Sequence, residues 1–141
     1  MITAILQARM SSSRLPGKVL RTVVGKPLLA LQLERVARSR RIDRVIVATS
    51  DRDDDAPIAA LAKAEGFECF RGALDDVLDR VFQAAKPSSP DLVVRLTGDC
   101  PLADPALIDP EPRTTTRCLE VRPAVRLPTA ACTAARRSLP V

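Results

Sequence analysis

The chain contains no histidine, tryptophan or tyrosine, and only three of its 141 residues are phenylalanine. Nucleic-acid-binding surfaces commonly stack bases on aromatic side chains, so this scarcity disfavours a nucleic-acid partner. The net charge of +5 does not change this expectation, because the excess lies mainly at the C-terminus. Residues 1–109 contain 16 Lys and Arg against 15 Asp and Glu, whereas residues 110–141 contain six against two.

Several common site types are also missing. The four cysteines form no CxxC pair, and no histidine is present to complete a mixed zinc site. The glycine patterns of P-loop ATPases and of dinucleotide-binding oxidoreductases do not occur. No apolar run approaches the roughly 20 residues that span a bilayer, and the N-terminus lacks the features of a signal peptide. The sequence therefore predicts a cytoplasmic protein with reduced thiols and no membrane partner.

The first 18 residues carry the clearest functional signal. A short apolar run suited to a buried strand leads into a segment with consecutive serines and the cations Arg9, Arg14 and Lys18. Cations this close repel one another, so a bound anion with several charges explains them best, and a triphosphate is the natural candidate. Ser12 can add a hydrogen-bond donor, and Pro16-Gly17 predicts a turn that brings Lys18 back towards the arginines. A solvated basic loop is the alternative that these residues leave open.

Hydrophobic periodicity predicts strands and helices in alternation. Short apolar or β-branched runs suit buried strands, and stretches with apolar residues at helical spacing lie between them. The predicted strands are 2–6, 44–49, 67–70 and 91–96, and the predicted helices are 27–40, 56–65 and 74–82. This alternation predicts the α/β class, with a parallel sheet covered on both faces. Asp79 and Arg80 are interpreted as solvated charges of the third helix.

In such sheets, ligands collect where the carboxyl ends of the strands meet their loops. Thr49 and Ser50 fall at this rim and are candidate contacts for a base or ribose. Asp99 follows the fourth strand directly after Gly98, where a carboxylate can hold Mg²⁺ together with phosphate oxygens. The acidic run 53–55 is interpreted instead as a cap for the following helix.

Six separated segments resemble the sugar-acid cytidylyltransferases, the family that includes the KDO and acylneuraminate enzymes. They are most like the branch of spore coat polysaccharide biosynthesis protein F-like proteins. The segments are Ala8–Lys18, Val47–Ser50, Asp54–Asp55, Phe70–Gly72, Asp75–Arg80 and Arg95–Leu102. The resemblance ends near Asp109 and implies a Rossmann-like nucleotide-diphospho-sugar transferase sheet that is incomplete at the C-terminus.

The resemblance implies transfer of CMP from CTP to a sugar acid in polysaccharide biosynthesis, with release of pyrophosphate. Positioning and charge neutralisation would do the catalytic work, with Arg9, Lys18 and Asp99 as the catalytic residues and Asp99 as the Mg²⁺ ligand. The residues assigned to the nucleotide are Arg9, Ser12, Arg14, Lys18, Thr49, Ser50 and Arg71. Full-length family members are implied to be homodimers, but their dimerisation segment lies in the half that does not match here.

Residues 110–141 differ in character from the rest of the chain. They contain five prolines and six arginines but no glycine, lysine or aspartate. This composition predicts a disordered tail after a nucleotide-binding part at 1–109, and it suggests truncation or an out-of-frame translation. Whether the chain is an active enzyme therefore stays open. The alternatives are an inactive truncated remnant and a nucleotide-sugar pyrophosphorylase that uses another nucleoside triphosphate.

Overall fold

The structure is a computed structural model that describes residues 1–12 and 15–109. The predicted site residue Arg14 and the predicted tail 110–141 lie outside the described residues. In chain order the strands are β1 (Ile2–Gln7), β2 (Thr22–Val23), β3 (Lys26–Pro27), β4 (Arg44–Ser50), β5 (Glu68–Gly72) and β6 (Leu92–Thr97). The helices are α1 (Leu28–Val36), α2 (Ala56–Ala64), α3 (Val77–Ala85) and α4 (Pro105–Ile108), and short 3₁₀ turns cover Lys18–Leu20, Asp53–Asp55 and Lys86–Ser88.

Four strands form a parallel sheet in the order β5-β4-β1-β6. The central strand β1 pairs with β4 on one side and with β6 on the other, so that Gln7 lies opposite both Ala48 and Thr97. The middle of β1 is fully buried, as its near-continuous apolar sequence requires of a strand covered on both faces. The predicted parallel α/β sheet is therefore confirmed.

Helices α1 and α2 cover one face of this sheet, and helix α3 covers the other. Alternate β1 residues such as Leu6 pack against Leu33 of α1 and Ile58 of α2, all of them fully buried. On the opposite face, Ile5 packs against Ala84 and its neighbours in α3. Both faces are thus closed along the sheet, while the carboxyl ends of its strands open into loops.

The helices begin and end at somewhat different residues from those predicted. Helix α1 ends at Val36 rather than at residue 40. The segment before α1 forms the small antiparallel hairpin β2–β3, which was not predicted from the sequence. Helix α3 begins at Val77, and Asp76 caps it by accepting a hydrogen bond from the Asp79 N–H at 2.8 Å. Among the described residues, no helix combines the length and apolarity needed to cross a membrane.

The interpretation of Arg80 as a solvated charge is wrong. Its side chain is only 1% exposed, and Nη1 donates to the carbonyl oxygens of Ala73 and Leu74 at 2.5 and 3.2 Å. Burial lowers the pKa of Arg80, and the Asp55 carboxylate offsets part of this effect. Helical spacing alone could not reveal this burial, because the carbonyl acceptors come from the loop before the helix.

Candidate functional site

A cleft of about 400 Å³ lies at the carboxyl ends of β1 and β6. One wall is formed by residues 8–12 and 15–18 of the loop after β1, called here the β1 loop, and the other is the β6 wall (residues 95–99). The lining includes Gln7, Arg9, Ser12, Lys18, Arg95 and Asp99. Open parallel sheets commonly bind ligands at this position. Four of the predicted site residues are therefore brought together here, namely Arg9, Ser12, Lys18 and Asp99.

The β1 loop folds back on itself around one carbonyl group. The Met10 carbonyl accepts hydrogen bonds from the N–H groups of Ser12 at 2.8 Å and Gly17 at 2.9 Å. Gly17 has a φ of +69°, in the left-handed region that glycine adopts without a steric penalty. The chain therefore reverses at Gly17, and Lys18 returns to the same cleft as Arg9.

Lys18 and Asp99 meet across the cleft. The Lys18 Nζ donates to the Asp99 Oδ2 at 2.8 Å, and the two side chains are 30% and 45% exposed. The hydrogen bond from Lys18, followed by one from Thr97, lowers the pKa of Asp99 below its ordinary value. A half-exposed pair of this kind contributes only about 0–1 kcal/mol to stability. Both groups can therefore exchange partners when a charged ligand enters.

Close packing fixes the backbone that carries Asp99. The Gly98 N–H donates to the Gln7 carbonyl at 2.7 Å, and a Cβ on Gly98 would lie 3.0 Å from that carbonyl oxygen. From α1, the buried Gln32 donates its Nε2 to the Thr97 carbonyl at 2.7 Å. A Cβ on Gly98 would also lie 3.0 Å from the Cβ of Ala8, so a larger residue at position 98 would force the neighbouring atoms to shift.

Asp55 is a buried residue of the site region whose importance the sequence reading missed. Its carboxylate is 2% exposed, and Oδ1 accepts the Met10 N–H at 2.6 Å. Oδ2 accepts the Ser50 N–H at 3.2 Å and the Ser50 hydroxyl. Asp55 therefore ties the β1 loop to the end of β4. Its side chain makes no capping hydrogen bond at the start of α2, contrary to the predicted capping role. Three consecutive aspartates give no local signal for which of them is buried.

The predicted nucleoside contacts lie outside the lining of the cleft. Thr49 and Ser50 have no exposed surface, and the Ser50 hydroxyl is engaged by Asp55. Arg71 lies within β5 and is exposed, but its guanidinium donates to the carbonyl oxygens of Ser50, Asp51 and Arg52 at 2.9–3.2 Å. The structure therefore does not bring these three side chains together with Lys18 and Asp99.

A second pair in the cleft was also missed. The Arg95 Nε and Nη2 donate to the Gln7 Oε1 at 3.2 and 2.9 Å. The signal was present in the alternation along β6, where Val94 and Leu96 are buried whereas Arg95 is exposed. Because alternate residues share one face of a strand, Arg95 lies on the same side of β6 as Thr97.

Asp99 fits a metal ion that is shared with a ligand. Within residues 1–12 and 15–109, no group of three or more His, Cys, Asp or Glu side chains is arranged to hold a metal ion. Mg²⁺ is commonly held by one or two carboxylates together with substrate phosphates and water. A single accessible carboxylate beside two cations, Arg9 and Lys18, suits that donor set. It does not form a metal cage by itself.

The parallel sheet and its cation-lined cleft define an α/β protein that can bind an anionic ligand at the carboxyl ends of its strands. The family model described as "Cytidylyltransferase" matches residues 3–116. The chain belongs to the cytidylyltransferase family. The match reaches seven residues beyond Asp109, where the resemblance read from the motifs ended.

One relative and two solved structures show which proteins of known name this chain resembles. The spore coat polysaccharide biosynthesis protein SpsF of Bacillus subtilis (strain 168) is 42% identical over 112 residues, which cover 77% of this chain and 47% of that protein. A cytidylyltransferase structure from Leptospira borgpetersenii matches with a TM-score of 0.73 and 39% identity, covering 77% of this chain and 45% of that one. The structure of CMP:2-keto-3-deoxy-manno-octonic acid synthetase complexed with CTP matches with a TM-score of 0.67 and 29% identity, covering 77% and 44%. This chain therefore spans less than half the length of each of these proteins.

Proposed function

We propose that the cleft binds CTP with Mg²⁺ and that the chain is the nucleotide-binding part of a sugar-acid cytidylyltransferase. The reaction would transfer CMP from CTP to a sugar acid, for use in polysaccharide biosynthesis, and release pyrophosphate. The observation that carries the proposal is the contact of Lys18 with Asp99, beside Arg9. Arg9 and Lys18 are cations suited to phosphates, and Asp99 is a carboxylate suited to a metal ion. All three line one cleft of a chain that belongs to the cytidylyltransferase family.

The residues of the β1 loop would bind the triphosphate. Arg9 has no acidic partner among residues 1–12 and 15–109, so its guanidinium is available for phosphate oxygens. Lys18 would leave Asp99 and move to the phosphates, where an ammonium group acts as a compact positive charge. Ser12 would add a hydrogen-bond donor, and Arg14 is proposed for the same task. Charge neutralisation of this type lowers the barrier for attack on phosphorus.

Asp99 would hold Mg²⁺ beside the α-phosphate. The metal would supply neutralisation of the charge that develops on the phosphate oxygens during transfer. The oxygen of a sugar hydroxyl would form a bond to the α-phosphorus, and the bond from that phosphorus to the oxygen bridging to the β-phosphate would break. Pyrophosphate would leave with the bridging oxygen, and the hydroxyl proton would pass to solvent. The chain's own residues would thus orient the nucleotide and neutralise its charge, without a covalent intermediate.

The direct test is pyrophosphate release by the 141-residue chain with CTP, Mg²⁺ and a panel of eight- and nine-carbon sugar acids. We expect release with one acid of the panel, and loss of release in the Lys18→Ala variant. CTP binding without any pyrophosphate release would contradict the catalytic part of the proposal and would favour an inactive remnant.

The choice of CTP is tested separately. Displacement of bound CTP by ATP, GTP and UTP should require far higher concentrations than displacement by unlabelled CTP, as expected for a member of the cytidylyltransferase family. Tighter binding of UTP or GTP would contradict CTP specificity and would favour a pyrophosphorylase that uses another nucleotide.

A further inference from the structure

The two walls of the cleft carry different sets of charges. The β1 loop contributes Arg9 and Lys18, whereas the β6 wall contributes Asp99 and one cation, Arg95. Lys18 and Asp99 already form an ion pair, so their charges largely cancel. Within residues 1–12 and 15–109, this leaves Arg9 and Arg95 as lining cations without an acidic partner.

The guanidinium of Arg95 is held in a defined position. Gln7 accepts two of its N–H groups through a single oxygen, Oε1, at 3.2 and 2.9 Å. Gln7 and Arg95 belong to paired strands, and both line the cleft. These two hydrogen bonds leave the Nη1 of Arg95 without a hydrogen-bond partner in the described part of the chain. An oriented guanidinium with free donors is suited to an oxyanion.

The electrostatic surroundings also favour an anion. Burial lowers the pKa of Arg80, the Asp55 carboxylate raises it in part, and Arg9 and Arg95 from the two walls of the cleft lower it further. Arg9 and Arg95 are therefore each close enough to repel the guanidinium of Arg80. An anion with several charges in the cleft would relieve this repulsion from both walls.

We propose that Arg95 is a further triphosphate-binding residue, which contacts the phosphates from the β6 wall while Gln7 holds its guanidinium in place. This inference rests on the proposed function, because the nucleotide is taken from it. The β1 loop then contacts the triphosphate from one wall of the cleft, and Arg95 contacts it from the other. A phosphate chain suits this cleft better than a single carboxylate because unpaired cations lie on both walls.

The test is calorimetric titration of the 141-residue chain and its Arg95→Gln variant with Mg²⁺-CTP, inorganic tripolyphosphate and cytidine. Loss of a charge-assisted hydrogen bond should weaken CTP and tripolyphosphate binding about tenfold. Binding of cytidine should not change. Arg95 is exposed, so the substitution should leave the melting temperature unchanged.

Arg44→Gln is the matched control. Arg44 lies at the opposite end of β4 from the cleft and pairs with Glu68 at 2.6 Å, so its loss should not affect any of the three ligands. Gln7→Met keeps the charge of Arg95 but removes its hydrogen-bond acceptor, and should produce a smaller loss of CTP affinity. Equal CTP affinity in Gln7→Met and the unsubstituted chain would contradict the holding role of Gln7.

Two results would overturn the role of Arg95. These are unchanged CTP binding in Arg95→Gln and an equal loss of affinity for cytidine. The proposed function fails in a different way. A chain that binds tripolyphosphate through Arg95 but shows no preference for CTP would contradict the nucleotide assignment and leave the phosphate role of Arg95 intact.

Discussion

At the scale of single residues, the site depends on an ion pair that a ligand must open. Lys18 occupies one oxygen of Asp99, at 2.8 Å, and the same carboxylate is proposed to hold Mg²⁺. The ammonium group and the proposed metal would therefore compete for Asp99 until phosphates offered Lys18 a second partner. This competition makes the two residues respond differently to metal and to nucleotide.

Replacement of Lys18 by alanine should have opposite effects on the two ligands. CTP affinity should fall about tenfold or more, because a charge-assisted contact to phosphate is lost. Binding of Mn²⁺ without nucleotide, followed by electron paramagnetic resonance, should become tighter because Asp99 loses its competitor. Lys26→Ala removes a lysine that pairs with Glu34 instead, and it should change neither affinity. Weaker Mn²⁺ binding in Lys18→Ala would contradict the competition.

Replacement of Asp99 by asparagine should remove the effect of Mg²⁺ on CTP binding. Asparagine keeps one oxygen but not the negative charge that attracts the metal. The measurement is CTP affinity at increasing Mg²⁺ concentration, with Asp54→Asn as the control because Asp54 is an exposed carboxylate that pairs with Arg52. If Asp99→Asn retained the Mg²⁺ dependence of the unsubstituted chain, the metal site would lie elsewhere.

At the scale of elements, the cleft is built by contacts between segments that are far apart in sequence. Asp55, at the start of α2, holds the β1 loop through Met10, while Gln32 of α1 holds the end of β6 through Thr97. Each of these buried polar side chains anchors the backbone of one wall. Asp55 accepts a hydrogen bond from a backbone N–H, and Gln32 donates one to a backbone carbonyl. Both backbone groups would otherwise lack a partner.

Replacement of Asp55 by asparagine should loosen the β1 loop and weaken CTP binding. An amide can keep one acceptor oxygen, but its NH₂ group would face a donor at Met10 or at Ser50. We expect a stability loss of about 1–3 kcal/mol. The amide proton of Met10 should also shift upfield in an NMR spectrum, because its hydrogen bond to a charged acceptor is lost.

Two controls separate positioning by Asp55 from general destabilisation. Asp53→Asn changes an exposed neighbour in the same acidic run and should leave both the loop and CTP affinity unchanged. Ile58→Val shortens a buried side chain of α2 and should lower stability by about 0.5–1.5 kcal/mol without affecting the Met10 amide. A shifted Met10 amide together with unchanged CTP affinity in Asp55→Asn would contradict the positioning role.

The elements and part of the cleft were predictable from sequence for physical reasons. Apolar runs and helical spacing report burial directly, so the parallel sheet could be predicted, and the cations of the β1 loop stand out because they gain nothing from a core. The burial of Asp55 and Arg80 could not be predicted, because it depends on carbonyl and N–H partners from other segments. Thr49 was correctly placed at the end of a strand, but which face its side chain occupies follows from packing against the helices.

At the scale of the whole molecule, the proposed nucleotide binding and the proposed sugar-acid turnover make different demands on the chain. The described residues line two walls of one cleft, and the chain spans less than half the length of the relatives it matches. Nucleotide binding would require only the residues of the two walls of the cleft. Turnover also requires a place for the sugar acid.

The most direct measurement is calorimetric titration of the 141-residue chain with CTP, once with Mg²⁺ present and once with the metal removed by EDTA. We predict one CTP bound per chain with Mg²⁺, and at least tenfold weaker binding in EDTA, because the carboxylate of Asp99 then repels the phosphates without a bridging cation. Absence of CTP binding under both conditions, or equal affinity with and without the metal, would contradict the central claim that the cleft binds a magnesium-nucleotide complex.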